Sequence, residues 1–390
     1  MDTPISSEFP IRPQGPSPLL FQGAEYRYEY LRTLLEHQDY SPTVLARREP
    51  LRGGEPASVV ILRRVVMPPR PERRQRAVEE VQLAAHLDHP NIARVFGLEE
   101  HEGRPYVVTE YMAGCLLDTA MAAVLLEGRR LSPAFACYIA AEAADALHHA
   151  WNRKGERGQP LHVVHRAVSP MTLRLGLQGQ VKLTDFGVAW SEMTGRVRTA
   201  PRVLRADVAY AAPEVLRFQP PDGRADLYSL GMVLLEMLAG QYPLDPQDVN
   251  LPPGESPEVV RYNSTVKAER TTWASVGELA DRILRFGPED VERAAQGVPG
   301  QLKRIVHKAL RARLEERYQS GAELREDLRT YLRLGKPFGA QEAAAELAPL
   351  VFNQKPAQDT RAFPTEKGVL PTPEEEAQGE GGGRKPRHRP

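Results

Sequence analysis

Val164-His165-Arg166-Ala167-Val168-Ser169-Pro170, followed by Val181-Lys182-Leu183-Thr184-Asp185-Phe186-Gly187, decides how the rest of this chain is read. The first piece comes after Ala134 to Trp151, a segment apolar nearly all round, the mark of a buried helix. The second is a short apolar run closed by an acid, an aromatic ring and a glycine. Downstream lie Ala212-Pro213-Glu214, then Asp226-Leu227-Tyr228-Ser229-Leu230-Gly231 opening a second buried helix that runs to Leu238, and Arg317 near the end. Upstream lie His89-Pro90-Asn91-Ile92 and Thr109-Glu110-Tyr111-Met112. Each piece alone is weak. Three anchors of this kind in fixed order and at these spacings are a strong signal.

Working outward, the part before His165 is strand-rich at its start. Ser58 to Leu62 is a β-branched run after the Gly53-Gly54 turn, and Arg104 to Glu110 is another after Gly103. Between them, Ala77, Val81, Ala84 and Ala85 recur on one face, which predicts a helix over Arg73 to Leu87. The part after His165 is mostly helical. Leu302, Ile305, Val306, Ala309 and Leu310 form an apolar stripe, and Ser320 with Glu323 predicts a capping box opening a last long helix. The fold class expected is α+β, a small β-rich lobe followed by a larger helical one. Five prolines crowd the first twenty residues, so residues 1–25 read as an arm. The body is expected over residues 26–336, with the small lobe at about 26–112 and the large lobe at about 113–336. Residues 337–351 read as a short helical extension, and residues 352–390, with a triple glutamate, a triple glycine and a basic end, as a tail that buries little. The stretch 241–300 carries no readable role.

Composition narrows the classes. Lys plus Arg is 51 and Asp plus Glu is 51, a balance that argues against wholesale nucleic-acid binding. Hydrophobic residues make up 41%, enough for a sizeable core. No apolar run reaches the roughly 18 residues needed to cross a bilayer. Two cysteines, Cys115 and Cys137, suit a reducing compartment, and no signal pattern opens the chain. The location expected is cytoplasmic, with no membrane partner.

The anchor series resembles the protein-kinase family, in particular the bacterial serine/threonine kinases of eukaryotic type. The resemblance covers about residues 26 to 336 and implies two lobes with a nucleotide cleft between them. Phosphoryl transfer in that family needs a glycine-rich loop over the phosphates, a strand lysine, a helix glutamate, a catalytic aspartate, a metal-binding asparagine and a metal-binding aspartate.

Most of these are changed here. The loop position, Leu34 to Val44, contains no glycine, while Pro42 lacks an N–H and Glu36 and Asp39 bring negative charge. A like-charge pair at about 4 Å and an effective dielectric of about 20 costs about 4 kcal/mol. Arg63 stands at the lysine position, keeping the charge but not the shape. Glu80 matches the helix glutamate; it either serves a nucleotide with Arg63 or only stabilises the lobe. Glu110 and Met112 fall at the nucleotide position. Ala167 replaces the catalytic aspartate, and a methyl group accepts no proton; a positioned base is worth roughly 10²–10⁴-fold. Thr172 replaces the metal-binding asparagine. Asp185 alone remains for Mg²⁺, unless it too is scaffold. Glu214, Asp226 and Arg317 match the family's structural anchors.

The pattern points to a pseudokinase, a signalling or scaffolding module requiring no cofactor, with at most weak ATP and Mg²⁺ binding. The alternative is a weak or unconventional kinase using Asp185, Arg63 and water. Arg196, Arg198, Arg202 and Arg205, with no acid between Glu192 and Asp207, suggest a partner protein, either an active kinase or an acidic or phosphorylated one.

Overall fold

The computed structural model describes residues 18–37, 40–53, 56–65, 71–155, 157–186, 208–244 and 276–352. These fall into two units. One comprises residues 18–65 with 96–111, and the other residues 71–95 with 112–352.

The first unit is a six-stranded sheet in the order β1-β2-β3-β4-β6-β5. Its strands are β1 (Leu19–Gln22), β2 (Tyr26–His37), β3 (Tyr40–Pro50), β4 (Ser58–Arg64), β5 (Val95–His101, whose first residue groups with the second unit) and β6 (Arg104–Glu110). Tyr28, Val44, Ala46, Val60, Leu62, Tyr106 and Val108 form its core, completed by Phe21. The Phe21 ring lies 4.8 Å from Tyr28 and 5.6 Å from Tyr106 and stacks on His101 at 5.0 Å. Residues 19–22, read above as part of an arm, are therefore a strand pairing with β2. One large aromatic side chain burying on the sheet face orders a segment whose proline content suggested otherwise.

The second unit is helical. Its core gathers α1 (Pro71–Ala85), α2 (Leu117–Leu126), α3 (Pro133–Asn152), α4 (Pro213–Leu216), α5 (Gly223–Ala239), α6 (Val276–Arg285), α7 (Pro288–Ala294), α8 (Gly300–Ala309), α9 (Gly321–Leu334) and α10 (Ala340–Phe352) around a three-stranded sheet, β7 (Gly114–Leu116), β8 (Leu173–Gly176) and β9 (Val181–Leu183). Helix α1 groups with this unit. Leu83 and Ala84 of α1, and Leu87 just beyond it, join the same core as Phe186.

Helix starts are chemically marked. Ser132 caps α3, its hydroxyl accepting from Phe135 N–H at 3.1 Å, with Pro133 next. Asp222 caps α5 by accepting from Arg224 N–H at 2.8 Å, and Gly240 closes that helix in the left-handed region. Inside α5, Gly231 packs against α8 so closely that an added Cβ would stand 2.7 Å from the Ala309 methyl. The expected capping box at α9 is only half formed. Ser320 Oγ accepts from Glu323 N–H, but the Glu323 carboxylate accepts from Gln319 N–H and from Lys308 instead. Helix α10 closes the unit. Its Glu346 accepts from both the N–H and the hydroxyl of Ser132, at 2.8 and 2.6 Å. Residues 353–390, read above as a tail, lie outside the described residues.

Candidate functional site

The loop after α3 is built around two fully buried groups. Asp226 in the first turn of α5 accepts from His165 N–H at 2.6 Å and from Arg166 N–H at 2.7 Å. Burial pushes its carboxyl up to about 7, against the pull of those two N–H groups. The His165 ring meets Phe186 edge-on at 4.5 Å. Its Nε2 lies 2.7 Å from Thr184 O, and its Nδ1 accepts from Ala167 N–H at 3.2 Å. Both ring nitrogens are thus used by one neutral tautomer, and burial lowers the ring pKa to about 4. Arg166 and Asp185, at the two ends of this knot, hold φ of +68° and +60°, a region L-residues occupy only when surroundings impose it.

Ala167 presents a methyl group at the position of the base. Thr172, at the metal-ligand position, is 8% exposed and turned into its own loop. Its hydroxyl lies 3.0 Å from Ala167 O and 3.1 Å from Ser169 O, and it accepts from Ser169 N–H at 3.0 Å. Ser169 is itself buried. Asp185 is exposed, with Thr184 Oγ1 3.4 Å from its Oδ2. Its neighbour Phe186 is buried in the helical core, and Gly187 lies outside the described residues. Among the described residues no three His, Cys, Asp or Glu side chains gather to hold a metal. One exposed carboxylate and one inward hydroxyl do not fit a Mg²⁺ ion, which demands near-octahedral oxygen coordination.

The remaining candidates are placed as follows. On β4, Val60 and Leu62 enter the sheet core while Arg63 lies on the opposite, exposed face, so Arg63 and Arg64 point opposite ways as strand alternation requires. The backbone of β3 faces β4 in register, Thr43 opposite Arg63, and β2 and β3 run antiparallel up to the pair His37 and Tyr40. The glycine-free stretch is therefore a β-hairpin whose tip, residues 38–39, lies outside the described residues. Glu80 lies on α1, its side chain outside the description. Glu110 ends β6 opposite Val60. Met112 is buried, and its carbonyl accepts from Arg174 Nε at 2.8 Å. Arg196, Arg198, Arg202 and Arg205 lie outside the described residues.

Two residues near the loop were not singled out from sequence. Arg174 is one; the signal was a charge set between Leu173 and Leu175 in an apolar strand. Asp118 is the other. Its N–H donates to Pro170 O at 3.2 Å, and burial raises its carboxyl to about 6. No pattern in the sequence marks it.

The scaffold anchors meet as the resemblance implies. Arg317 and Glu214, 1% and 4% exposed, form a two-bond pair at 2.7 and 2.8 Å. The other Arg317 N–H groups go to the carbonyls of Arg311, Arg224 and Ala312.

A protein kinase domain family model matches residues 59–322. Tyrosine-protein kinase MasK of Myxococcus xanthus is 32% identical over 255 residues, which is 65% of this chain and 35% of that protein. Serine/threonine-protein kinase PknB of Mycobacterium leprae is 31% identical over 253 residues, 64% of this chain and 34% of that protein. The chain spans about a third of the length of these relatives. The crystal structure of the Mycobacterium tuberculosis PknI kinase domain aligns with a TM-score of 0.51 at 21% identity, covering 80% of this chain and 98% of that one, a likeness of fold.

Proposed function

This chain belongs to the protein kinase family, and from that premise we propose that it is a pseudokinase: a signalling or scaffolding module with little or no phosphotransfer. Kinases of this family ordinarily use ATP and Mg²⁺; in this reading the chain requires neither. The observation that carries the reading is the closed hydrogen bonding of the 165–172 loop. Ala167 offers no base, and the Thr172 hydroxyl is spent on the carbonyls of Ala167 and Ser169. Positioning and charge stabilisation supply nearly all the catalysis in phosphoryl transfer, so a loop with its polar groups turned inward has little left to apply.

Partner binding is proposed on the segment carrying Arg196, Arg198, Arg202 and Arg205, with an acidic or phosphorylated protein, an active kinase included, as the partner class. Such binding weakens with salt, since exposed charges are screened within about 8–10 Å at physiological ionic strength. The decisive experiment is ATP-dependent phosphorylation by the purified chain, compared with Asp185→Ala. The expected result is no incorporation above that of the variant. Incorporation that Asp185→Ala abolishes would establish the second reading, a weak kinase working through Asp185.

A further inference from the structure

The rings of His89 and His149 meet with centroids 4.8 Å apart and planes tilted by 34°. His89 lies in the loop after α1, and His149 lies in the last turn of α3. The function proposed above uses neither ring. The loop is pinned at Asn91, which is 7% exposed. Its side-chain amide donates to Glu142 of α3 at 2.9 Å and to the Val181 carbonyl of β9 at 3.0 Å. Its backbone carbonyl accepts from Leu183 N–H at 2.8 Å, and Leu183 O accepts from Ala93 N–H at 2.9 Å. One further bond is sensitive to protons. Asn91 N–H donates to His89 Nδ1 at 3.2 Å, so that nitrogen must be unprotonated.

Neither ring is placed to hold a charge. Burial lowers the pKa of both below the ordinary histidine value. His149 also faces His89 and, one turn along α3, Arg153, whose positive charge opposes protonation. Among the described residues its Nε2 is buried with no hydrogen-bond partner. In the charged ring both nitrogens carry hydrogen, and that N–H would have no acceptor. Carboxylates face the pair as well. Asp145 and Glu142 on α3 and Asp88 in the loop favour protonation, while Lys182 of β9 and Arg325 of α9 oppose it. Asp145 and Glu142 are already engaged by Arg325 and by Arg329 of α9. Asp88 is exposed, where salt and water screen it. Burial therefore decides the sign.

We propose that the His89–His149 pair is a proton-operated clasp. Neutral, it holds residues 88–93 on α3 and β9; a proton on either ring releases that loop while the helical unit stays folded. A released histidine takes up its proton as pH falls through about 6.5, and the closed pair resists it. Closure is therefore fully favoured above about 6.5 and weakens as pH falls below it. The clasp holds the chain just before it leads into β5, and it operates whether or not the chain transfers phosphate.

The test is amide hydrogen exchange of the full chain at pH 7, 6 and 5, corrected for the intrinsic pH dependence of exchange, with NMR titration of the two rings. The amides of Asn91, Ile92 and Ala93 are expected to open about fivefold more at pH 5 than at pH 7, with far-UV circular dichroism unchanged and both rings titrating below about 6.5. The double variant His89→Asn, His149→Phe keeps a side-chain acceptor two residues before the Asn91 N–H and a ring opposite it, but has no titrating group in the pair. Its opening at these amides is expected to be flat with pH. Equal acceleration in wild type and the double variant overturns the clasp. So does wild-type opening that is flat with pH, and so does loss of the helical signal over the same range, which is global unfolding. If the double variant does not fold, the ring titrations decide. A midpoint at or above about 6.5 for either ring overturns the clasp, and two midpoints below it that track the opening of residues 91–93 uphold it.

Discussion

The Glu214–Arg317 anchor and the 165–172 loop lie in the same helical unit and both lean on the first turn of α5, the anchor through the Arg224 carbonyl and the loop through the Asp226 carboxylate, and each is closely hydrogen-bonded. They differ in what that completeness does. Around Arg317, every donor meets a carboxylate or a carbonyl, and the outcome is a buried charge made tolerable. Around Thr172, the bonds turn a hydroxyl back into its own loop, toward the carbonyls of Ala167 and Ser169 and the N–H of Ser169. Folding rewards closed polar networks, and catalysis requires some of them to stay open until the substrate arrives.

Breaking the anchor gives the largest effect. Arg317→Met leaves Glu214 buried without its counter-charge and is expected to cost about 3–5 kcal/mol in chemical denaturation. Adding Glu214→Leu should recover much of that loss, because the uncompensated charge goes with it. A single-variant cost below about 1 kcal/mol would mean that the anchor is dispensable.

The next effect comes from His165, at the seam between the two regions. Its folded pKa is depressed to about 4 from an unfolded value of 6.5. Below 6.5 the unfolded chain takes up a proton that the folded ring refuses. The stability carried by the neutral ring is therefore complete above about 6.5 and is lost as pH falls through the window to about 4, by about 3 kcal/mol. Asp226, raised to about 7, runs the opposite way over the range from about 4 to 7. The His165 share is thus read as the difference between wild type and His165→Gln, measured at pH 7, 5.5 and 4.5. A difference that does not change with pH would contradict a buried neutral ring.

A smaller effect is expected at Glu346, which grips the cap of α3 from α10. Glu346→Ala should lower stability by about 1 kcal/mol, the scale of a lost cap, seen as a lower urea midpoint with unchanged slope. The smallest effect belongs to the loop. Ala167→Asp restores a carboxylate, yet Thr172 stays bonded to its own loop. Turnover approaching the roughly 1–100 s⁻¹ of ordinary kinases is not expected in a phosphorylation assay. If it appeared, the loop would be open after all.

From its sequence alone the chain declared its family, because the anchors that define the fold are local words at fixed spacings: His165-Arg166, Asp185-Phe186, Pro213-Glu214, Asp226, Arg317. The strands at Ser58 and Arg104 and the helices at Ala134, Leu227 and Leu302 were legible for the same reason, each being a run whose periodicity a window can hold. The alanine at position 167 was legible too, since an absent carboxylate needs no coordinates. Tertiary structure alone decided the rest. Four residues at Leu19–Gln22 are too few to show a period, and only the rings of Tyr28, His101 and Tyr106 make Phe21 a core residue. Glu323 matched a capping box by spacing, but Gln319 and Lys308 compete for its carboxylate. Thr172 was readable as a poor ligand, but not as one bonded shut. Arg174 was not singled out in the sequence; β7 and β8 bring it to the carbonyls of Met112 and Gly114, 62 and 60 residues earlier in the chain. A residue's identity is a local fact, but which acceptors satisfy it depends on chain segments that only the fold brings together.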